Sequence, residues 1–274
     1  MANIKTVKHM LQEKVEILWN KEVGGLYYRL GLKCDEGFAD TKPGQFVMVR
    51  ISDSYNPLLR RPFSIHRLIE ENGNVRGFEI LFKVVGKGTT ILSGLREGGF
   101  VDVLGPLGRG FVIPENFQST FIVAGGIGVA PLFFLASDLM RAGVDSSKIQ
   151  MFIGGRSKED LLCIDEIKAM GFPVHISTDD GSLGEKALVT EIVKNKLTNT
   201  RPDMIFACGP SPMMKAVAGI AEKENISCQV SLETMMACGM GACLGCAVEK
   251  KESSDKYLHT CLDGPVFDAA ILKI

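Results

Sequence analysis

With 274 residues, 46% of them hydrophobic and 23% charged, and a formal net charge of −1, the chain has the makeup of globular protein and the length for two or three compact units. That balance excludes the basic footprint of a nucleic-acid binder and any attraction to acidic surfaces. The opening MANIKTVKHMLQEKVEILWN alternates charge with apolar residues and lacks the apolar run and small-residue cleavage site of a secretory signal, so a cytoplasmic setting with reduced thiols is expected.

Residues 12–112 carry short strand-like runs between turn signals: LYYRLGLKC, GQFVMVRI after KPG, FEILFKVV, and FVDVL before GPLGRG. This pattern predicts a small antiparallel barrel or sandwich. Within it, LLRRPFSIHR at 58–67 sets two arginines before Pro62, Phe63 and Ser64. Those types can bring a guanidinium to a phosphate, an aromatic face to a ring system and a hydroxyl to a ring nitrogen. A solvated basic edge strand explains the same letters equally well.

Residues 119–232 alternate strand and helix: FIVAGG, a helix through Leu139, KIQMFIGG, a helical stretch over Lys158 to Met170, PVHISTDD, a helix near 185–197, DMIFACGP, a helix over Met213 to Asn225, and SCQVSLE. Strict alternation predicts a parallel sheet covered on both faces. The uncharged FIVAGGIGVAPLFFLAS, 121–137, has about the ~17-residue minimum of a membrane span. Pro131 and the GGIG turn argue instead for a buried strand, a turn and a helix, so no membrane segment is expected. Gly125, Gly126 and Gly128 allow a tight turn and close approach of a pyrophosphate to a helix N-terminus, although Pro131 stands where the third glycine of G-x-G-x-x-G would be. Cys208-Gly209-Pro210 closes the fourth strand at the edge where such sheets bind ligands. Arg156, after the second strand, is where a 2′-phosphate would find a positive partner. None of His9, His66, His175 or His259 sits in a catalytic pattern, and each is read as structural or surface.

The last forty residues are rich in cysteine and glycine. Cys238, Cys243, Cys246 and Cys261 read C-x4-C-x2-C-x14-C. Structural zinc usually brings two C-x2-C knuckles, and a thioredoxin-type dithiol opens a helix; neither fits. The spacing is that of a plant-type [2Fe-2S] site, with Gly239, Gly241 and Gly245 letting the backbone wrap an anionic core and turn N–H groups toward sulfur. Cys34, Cys163, Cys208 and Cys228 lie in apolar surroundings and read as core. Met235, Met236, Met240 and Leu244 place adaptable apolar side chains around the thiolates, as an electron-transfer interface or as a shielding core.

Taken together, RPFS at 61–64, VVGKGTT at 84–90, GPLGRGF at 105–111, AGGIGVAP, ACGP and ETMMACGMGACLGC with HTCLDGPVF resemble the electron-transfer subunits of NAD-dependent dihydroorotate dehydrogenases, within the ferredoxin-NADP reductase superfamily. The resemblance runs along essentially the whole chain. It implies an α+β multidomain protein: an antiparallel β-barrel FAD domain at 1–113, an α/β parallel-sheet NAD domain at 114–232 and a [2Fe-2S] domain at 233–274. By the same resemblance Arg61, Pro62, Phe63, Ser64, Gly88 and Thr89 bind FAD, with Arg61 on the pyrophosphate and Ser64 by the flavin N5. Gly126 and Gly128 meet the nicotinamide nucleotide, NADH in preference to NADPH, and Cys208 approaches the reacting rings. The implied partner is an FMN-containing catalytic subunit in a heterotetramer of two chains of each, acting in pyrimidine biosynthesis. Because nicotinamide exchanges two electrons and a 2Fe cluster one, electrons would pass between NAD and the partner's FMN through FAD and the cluster. The alternative is the nicotinamide-oxidising flavin and iron–sulfur subunit of a hydrogenase or ferredoxin-linked transhydrogenase complex.

Overall fold

The computed structural model describes residues 10–34, 36–52, 54–115, 118–251 and 257–274. The first unit is a closed barrel of six antiparallel strands: β1 (Leu11–Gly24), β2 (Tyr27–Lys33), β3 (Phe46–Arg50), β4 (Arg61–Glu71), β5 (Asn74–Lys83) and, after the short helix α1 (Lys87–Ser93), β6 (Phe100–Leu107). They close in the order β1-β2-β5-β4-β3-β6, which decides between the barrel and the sandwich. Closure removes free edges, and Ile17, Leu30, Val47, Ile65, Ile80 and Phe82 fill the interior. Asn72 and Gly73, both at positive φ, make the tight β4–β5 turn that holds the twist of the two strands. The Asn20 amide donates to the carbonyls of Leu92 (2.8 Å) and Leu95 (2.9 Å), tying the end of α1 to β1.

The second unit runs β7 (Thr120–Gly125), α2 (Val129–Arg141), β8 (Ile149–Gly155), α3 (Ile164–Ala169), β9 (Val174–Thr178), β10 (Glu185–Lys186), α4 (Val189–Leu197), β11 (Met204–Cys208), α5 (Ser211–Lys223) and β12 (Ser227–Ser231). One apolar core lies under α2 and α3 and reaches the barrel through Tyr27 and Leu81; the other lies under α4 and α5. Two expected helices are shorter than the pattern suggested. The stretch from Lys158 is a 3-10 turn, and α3 starts only after Cys163, whose φ of 61° breaks the helical path. The helix near 185 begins at Val189, because Glu185 and Lys186 pair with Ser177 and Thr178 as β10. Residues 121–137 divide between β7 and α2, and no described helix is long and apolar enough to cross a membrane.

The C-terminal unit adds β13 (Ala247–Glu249), β14 (Tyr257–His259) and β15 (Val266–Asp268). β15 pairs antiparallel with β12, so the sheet reads β10-β9-β8-β7-β11-β12-β15, parallel except at that edge. Phe267, Ala269 and Leu272 pack into the core under α4 and α5, which welds the cysteine-rich unit to the nucleotide unit.

Barrel and nucleotide unit meet where α2 lies on β4. His66 is fully buried there: Nδ1 donates to the Ala130 carbonyl at 3.0 Å, and its ring stands 4.5 Å from that of Phe133. Burial holds this imidazole neutral, near a pKa of about 3, with the nearby Arg29 and Arg67 charges acting in the same direction. Arg29 and Arg67 reach across to Glu166 of α3, and both also face the buried Glu79 of β5. His66 is thus a structural residue. His175 bonds Gln150 at 3.1 Å, and His9 lies outside the described residues.

Candidate functional site

A cleft of about 410 Å³ opens between the barrel, the carboxyl edge of the nucleotide sheet and the start of the C-terminal unit. β4 contributes Arg61, Pro62, Phe63 and Ser64, and the turn into α1 contributes Gly86, Lys87, Gly88 and Thr89. Facing them stand Ile127, Ala130 and Pro131 from the turn into α2, and Glu233, Thr234 and Met236 from the segment after β12. Residues 61–64 and 233–236, distant in the chain, meet here because α2 on β4, with the Arg29 and Arg67 contacts to Glu166, closes the two units on each other.

The paired arginines separate cleanly. Arg60 Nη1 lies 2.7 Å from Asp102 Oδ1 and donates to the Asp102 carbonyl at 3.0 Å, so its charge is answered in the barrel wall. Arg61 faces the cleft, and its partners among the described residues are the backbone carbonyls of Leu59 and Arg60. A Cβ on Gly88 would sit 3.3 Å from Arg61 Nε, so glycine there leaves the guanidinium uncovered. Thr89 lines the cleft while its hydroxyl is directed to its own turn. Its Oγ1 accepts from the N–H of Val85 (2.9 Å) and Gly86 (3.1 Å) and donates to the Gly86 carbonyl (3.0 Å), which locks the turn and leaves backbone to face a ligand.

Leu81, Phe82 and Lys83, at the end of β5, also line the cleft. The strand pattern of FEILFKVV hides them; the available signal was a lysine interrupting an apolar strand just before a glycine turn. Lys83 Nζ donates to Tyr27 Oη (2.8 Å) and Asp160 Oδ1 (3.1 Å), and these bonds hold it charged, with a pKa above the usual lysine value. Asp160 also meets Arg156 at 3.4 Å, so the exposed Arg156 already has an acidic neighbour.

At the nucleotide turn, Gly126 has φ +51° with open space around it, whereas a Cβ on Gly128 would fall 2.3 Å from the Cys208 carbonyl oxygen. Gly128 is therefore a close-approach glycine that lets the turn seat on the end of β11. Cys208 is buried beneath it and is not among the cleft-lining residues; burial, reinforced by the negative charge of Glu233, pushes its thiol far above the usual range. Glu233 lines the cleft with its side chain exposed there, and desolvation by the surrounding walls raises its carboxyl. It opens the ETMMACG stretch, where the cysteines and not the glutamate carried the sequence reading.

The four clustered cysteines form two pairs. Cys246 and Cys261 are buried with their sulfurs 3.3 Å apart, too far for a disulfide. Cys238 is half-buried and Cys243 exposed. Burial alone would raise the Cys238 thiol, but N–H groups of Met240 (3.5 Å) and Cys243 (3.4 Å) aimed at its sulfur outweigh this and bring it down to about 7. Burial and the adjacent Cys246 push Cys261 up to about 12. Four thiols in two pairs match a two-iron cluster, two sulfurs to each iron, whereas tetrahedral zinc asks four donors to converge. Gly239 and Gly241 take positive φ, and side chains there would strike Met48 and Leu262. The third positive-φ position falls on Leu244 rather than Gly245. Cys246 and Cys261 rest on Phe46, Met48, Leu104 and Leu107 of the barrel, with Met236 packed against them. Met235, Met240, Leu244 and Leu262 stay exposed, as Cys243 does.

Residues 9–111 match the family described as oxidoreductase FAD-binding domain, 122–219 the oxidoreductase NAD-binding domain, and 233–273 the iron-sulfur cluster binding domain of dihydroorotate dehydrogenase B. A protein of Desulforamulus reducens named dihydroorotate dehydrogenase B (NAD(+)), electron transfer subunit, is 42% identical over 82% of this chain and 84% of its own. A Listeria monocytogenes protein of the same name is 38% identical over 97% of this chain and 100% of its own. A solved NADH-dependent reduced ferredoxin-NADP oxidoreductase, studied for flavin-based electron bifurcation, superposes with a TM-score of 0.82 at 32% identity, covering 94% of this chain and 89% of that one. Phthalate dioxygenase reductase, at 21% identity and a TM-score of 0.62, shares the fold.

Proposed function

The chain belongs to the electron-transfer subunits of dihydroorotate dehydrogenase B, an oxidoreductase family with FAD-, NAD- and iron–sulfur-binding domains, and from that membership we propose how its residues divide the work. Arg61 holds the FAD pyrophosphate, supported by the positive charge of Lys83 and by the backbone of Gly88 and Thr89. Pro62 and Phe63 pack beside the flavin, and Ser64 offers its hydroxyl to the ring edge. Gly126 and Gly128 admit the nicotinamide nucleotide to the N-terminus of α2, with Cys208 backing the turn from below. NADH is preferred, because Asp160 already pairs with Arg156 and opposes a 2′-phosphate. Cys238 and Cys243 hold one iron, Cys246 and Cys261 the other.

Bound FAD supplies the conversion between hydride transfer and the single-electron steps of a cluster. No side-chain acid or base is needed for this. The partner is an FMN-containing chain that oxidises dihydroorotate to orotate, two copies of each chain assembling in the cytoplasm, with the exposed Met235, Met240 and Leu244 of the cysteine-rich unit toward the partner. One observation carries the reading: the cluster thiols and the flavin cleft share the same barrel residue, Phe46, so the two redox sites adjoin. Co-expression with a candidate FMN chain and an assay of NAD-dependent dihydroorotate oxidation tests it. The 32% identical oxidoreductase supports a second reading, a subunit that couples NADH to ferredoxin and NADP; ferredoxin-dependent turnover without dihydroorotate activity in the same complex would decide for it.

A further inference from the structure

Most buried hydroxyls of the cleft are already engaged. Thr89 locks the turn before α1, and Ser231 bonds the Cys208 thiol. Thr234 differs. Its Oγ1 is buried without a hydrogen-bond partner among the described residues, and Thr234 lines the cleft opposite β4.

A buried hydroxyl left unpaired is costly, and such groups in folded proteins nearly always find protein, water or ligand partners. The backbone around Thr234 offers no alternative. β12 ends at Ser231, the Leu232 N–H goes to the Pro265 carbonyl at 2.9 Å, and residues 232–236 continue without regular secondary structure. Two residues further on, Met236 packs against Phe46 and the buried cluster cysteines; four residues on comes Cys238, the first proposed cluster ligand. A bond from Thr234 into the cleft would therefore pin the segment that leads from the flavin site into the cluster.

We propose that Thr234 is a positioning residue for the flavin, its hydroxyl hydrogen-bonding the bound FAD. This rests on the assignment of FAD to the cleft. The test uses the full chain with cluster intact, comparing Thr234→Val, which keeps the shape and removes the hydroxyl, with Thr234→Ser, which keeps the hydroxyl. FAD affinity is read from flavin fluorescence, flavin environment from the visible absorption band, and the cluster from iron content and electron paramagnetic resonance. The valine variant should raise the FAD dissociation constant about five- to tenfold and alter the flavin band, with the cluster unchanged and serine restoring both flavin readouts. Thr234→Ala gives the same comparison should the valine chain fail to fold. Wild-type affinity and spectrum in the hydroxyl-free variant, a change confined to the cluster signal, or failure of serine to restore would each overturn the proposal. A wild-type chain that takes up no FAD would instead overturn the assignment of the cleft.

Discussion

Phe46 lies directly opposite Ser64 in the β3–β4 register, and it both lines the cleft proposed for FAD and belongs to the core that holds Cys246 and Cys261. The same strand pair thus builds one wall of each site. Truncating Phe46 to alanine removes packing from both at once, with a stability loss of about 3 to 5 kcal/mol expected for a buried phenylalanine. FAD and iron occupancy of the purified protein should fall together, while Ile17→Val on β1 leaves both intact. Loss of only one cofactor in the Phe46→Ala protein would separate sites that the fold joins.

The cysteine pairs predict a selective pattern. Prepared without oxygen, the chain should carry two irons and give a [2Fe-2S] resonance signal when reduced. Cys243→Ser should abolish or badly weaken that signal, whereas Cys34→Ala, in the barrel core, should leave it. Stoichiometric zinc in a carefully prepared sample would contradict the two-iron assignment.

Arg60 and Arg61 differ in their partners, so they should differ in effect. Arg61→Ala removes a charge-assisted contact to the FAD pyrophosphate, worth about 1.5 to 3 kcal/mol, and should weaken FAD retention on the order of tenfold to a hundredfold. Arg60→Ala removes the cation beside Asp102, leaving its carboxylate the Gln12 amide at 3.1 Å, and should lower the melting temperature with little direct effect on FAD. Equal flavin loss in both variants would show that proximity in sequence, not orientation, explains Arg61.

Much of this was legible in the sequence because short-range patterns encode it. The C-x4-C-x2-C spacing marked the thiols, and GGIG marked the turn into α2. The strands β2, β3, β5 and β6 showed their alternation, while in β1 charged and apolar residues share the strand so evenly that the barrel wall is inconspicuous. What remained hidden depends on contacts distant in sequence. Only the fold shows that Asp102 claims Arg60 and frees Arg61, that Thr89 spends its hydroxyl on its own turn, or that β15 returns to the edge of the nucleotide sheet. Glu233 and Thr234 open the ETMMACG stretch, but the cysteines that follow draw the chemistry, and only the end of β12 brings these two residues to the cleft.

His66 gives the domain interface a pH dependence of known sign. Its folded pKa of about 3 lies below the ordinary unfolded value of about 6.5, so below that value the unfolded chain binds the extra proton. Stability should be complete above pH 6.5 and decline on acidification toward 3, by up to about 1.4 kcal/mol per pH unit from this residue. Between pH 6.5 and 4.5 His175, lowered by burial, adds a slope of the same sign and Glu233, raised by desolvation, one of the opposite sign, so the His66 share is the difference between the wild-type and His66-substituted profiles. Glu166 and Asp160, held below the usual carboxylate range, act only at lower pH. Thermal unfolding of His66→Gln, which keeps a donor for the Ala130 carbonyl without a titrating ring, should be flatter over that interval. Parallel pH profiles for the two proteins would remove His66 from the account.

The central claim is that electrons pass between NAD and the partner's flavin through FAD and the cluster. Anaerobic mixing of the assembled two-subunit complex with dihydroorotate and NAD+, following NADH formation in wild-type and Cys243→Ser proteins, tests it most directly. The wild-type complex should form NADH. The cluster-deficient complex should lose that activity while its electron-transfer chain, given NADH, still reduces an artificial dye through FAD. Full NADH formation from dihydroorotate after loss of the cluster would contradict the path.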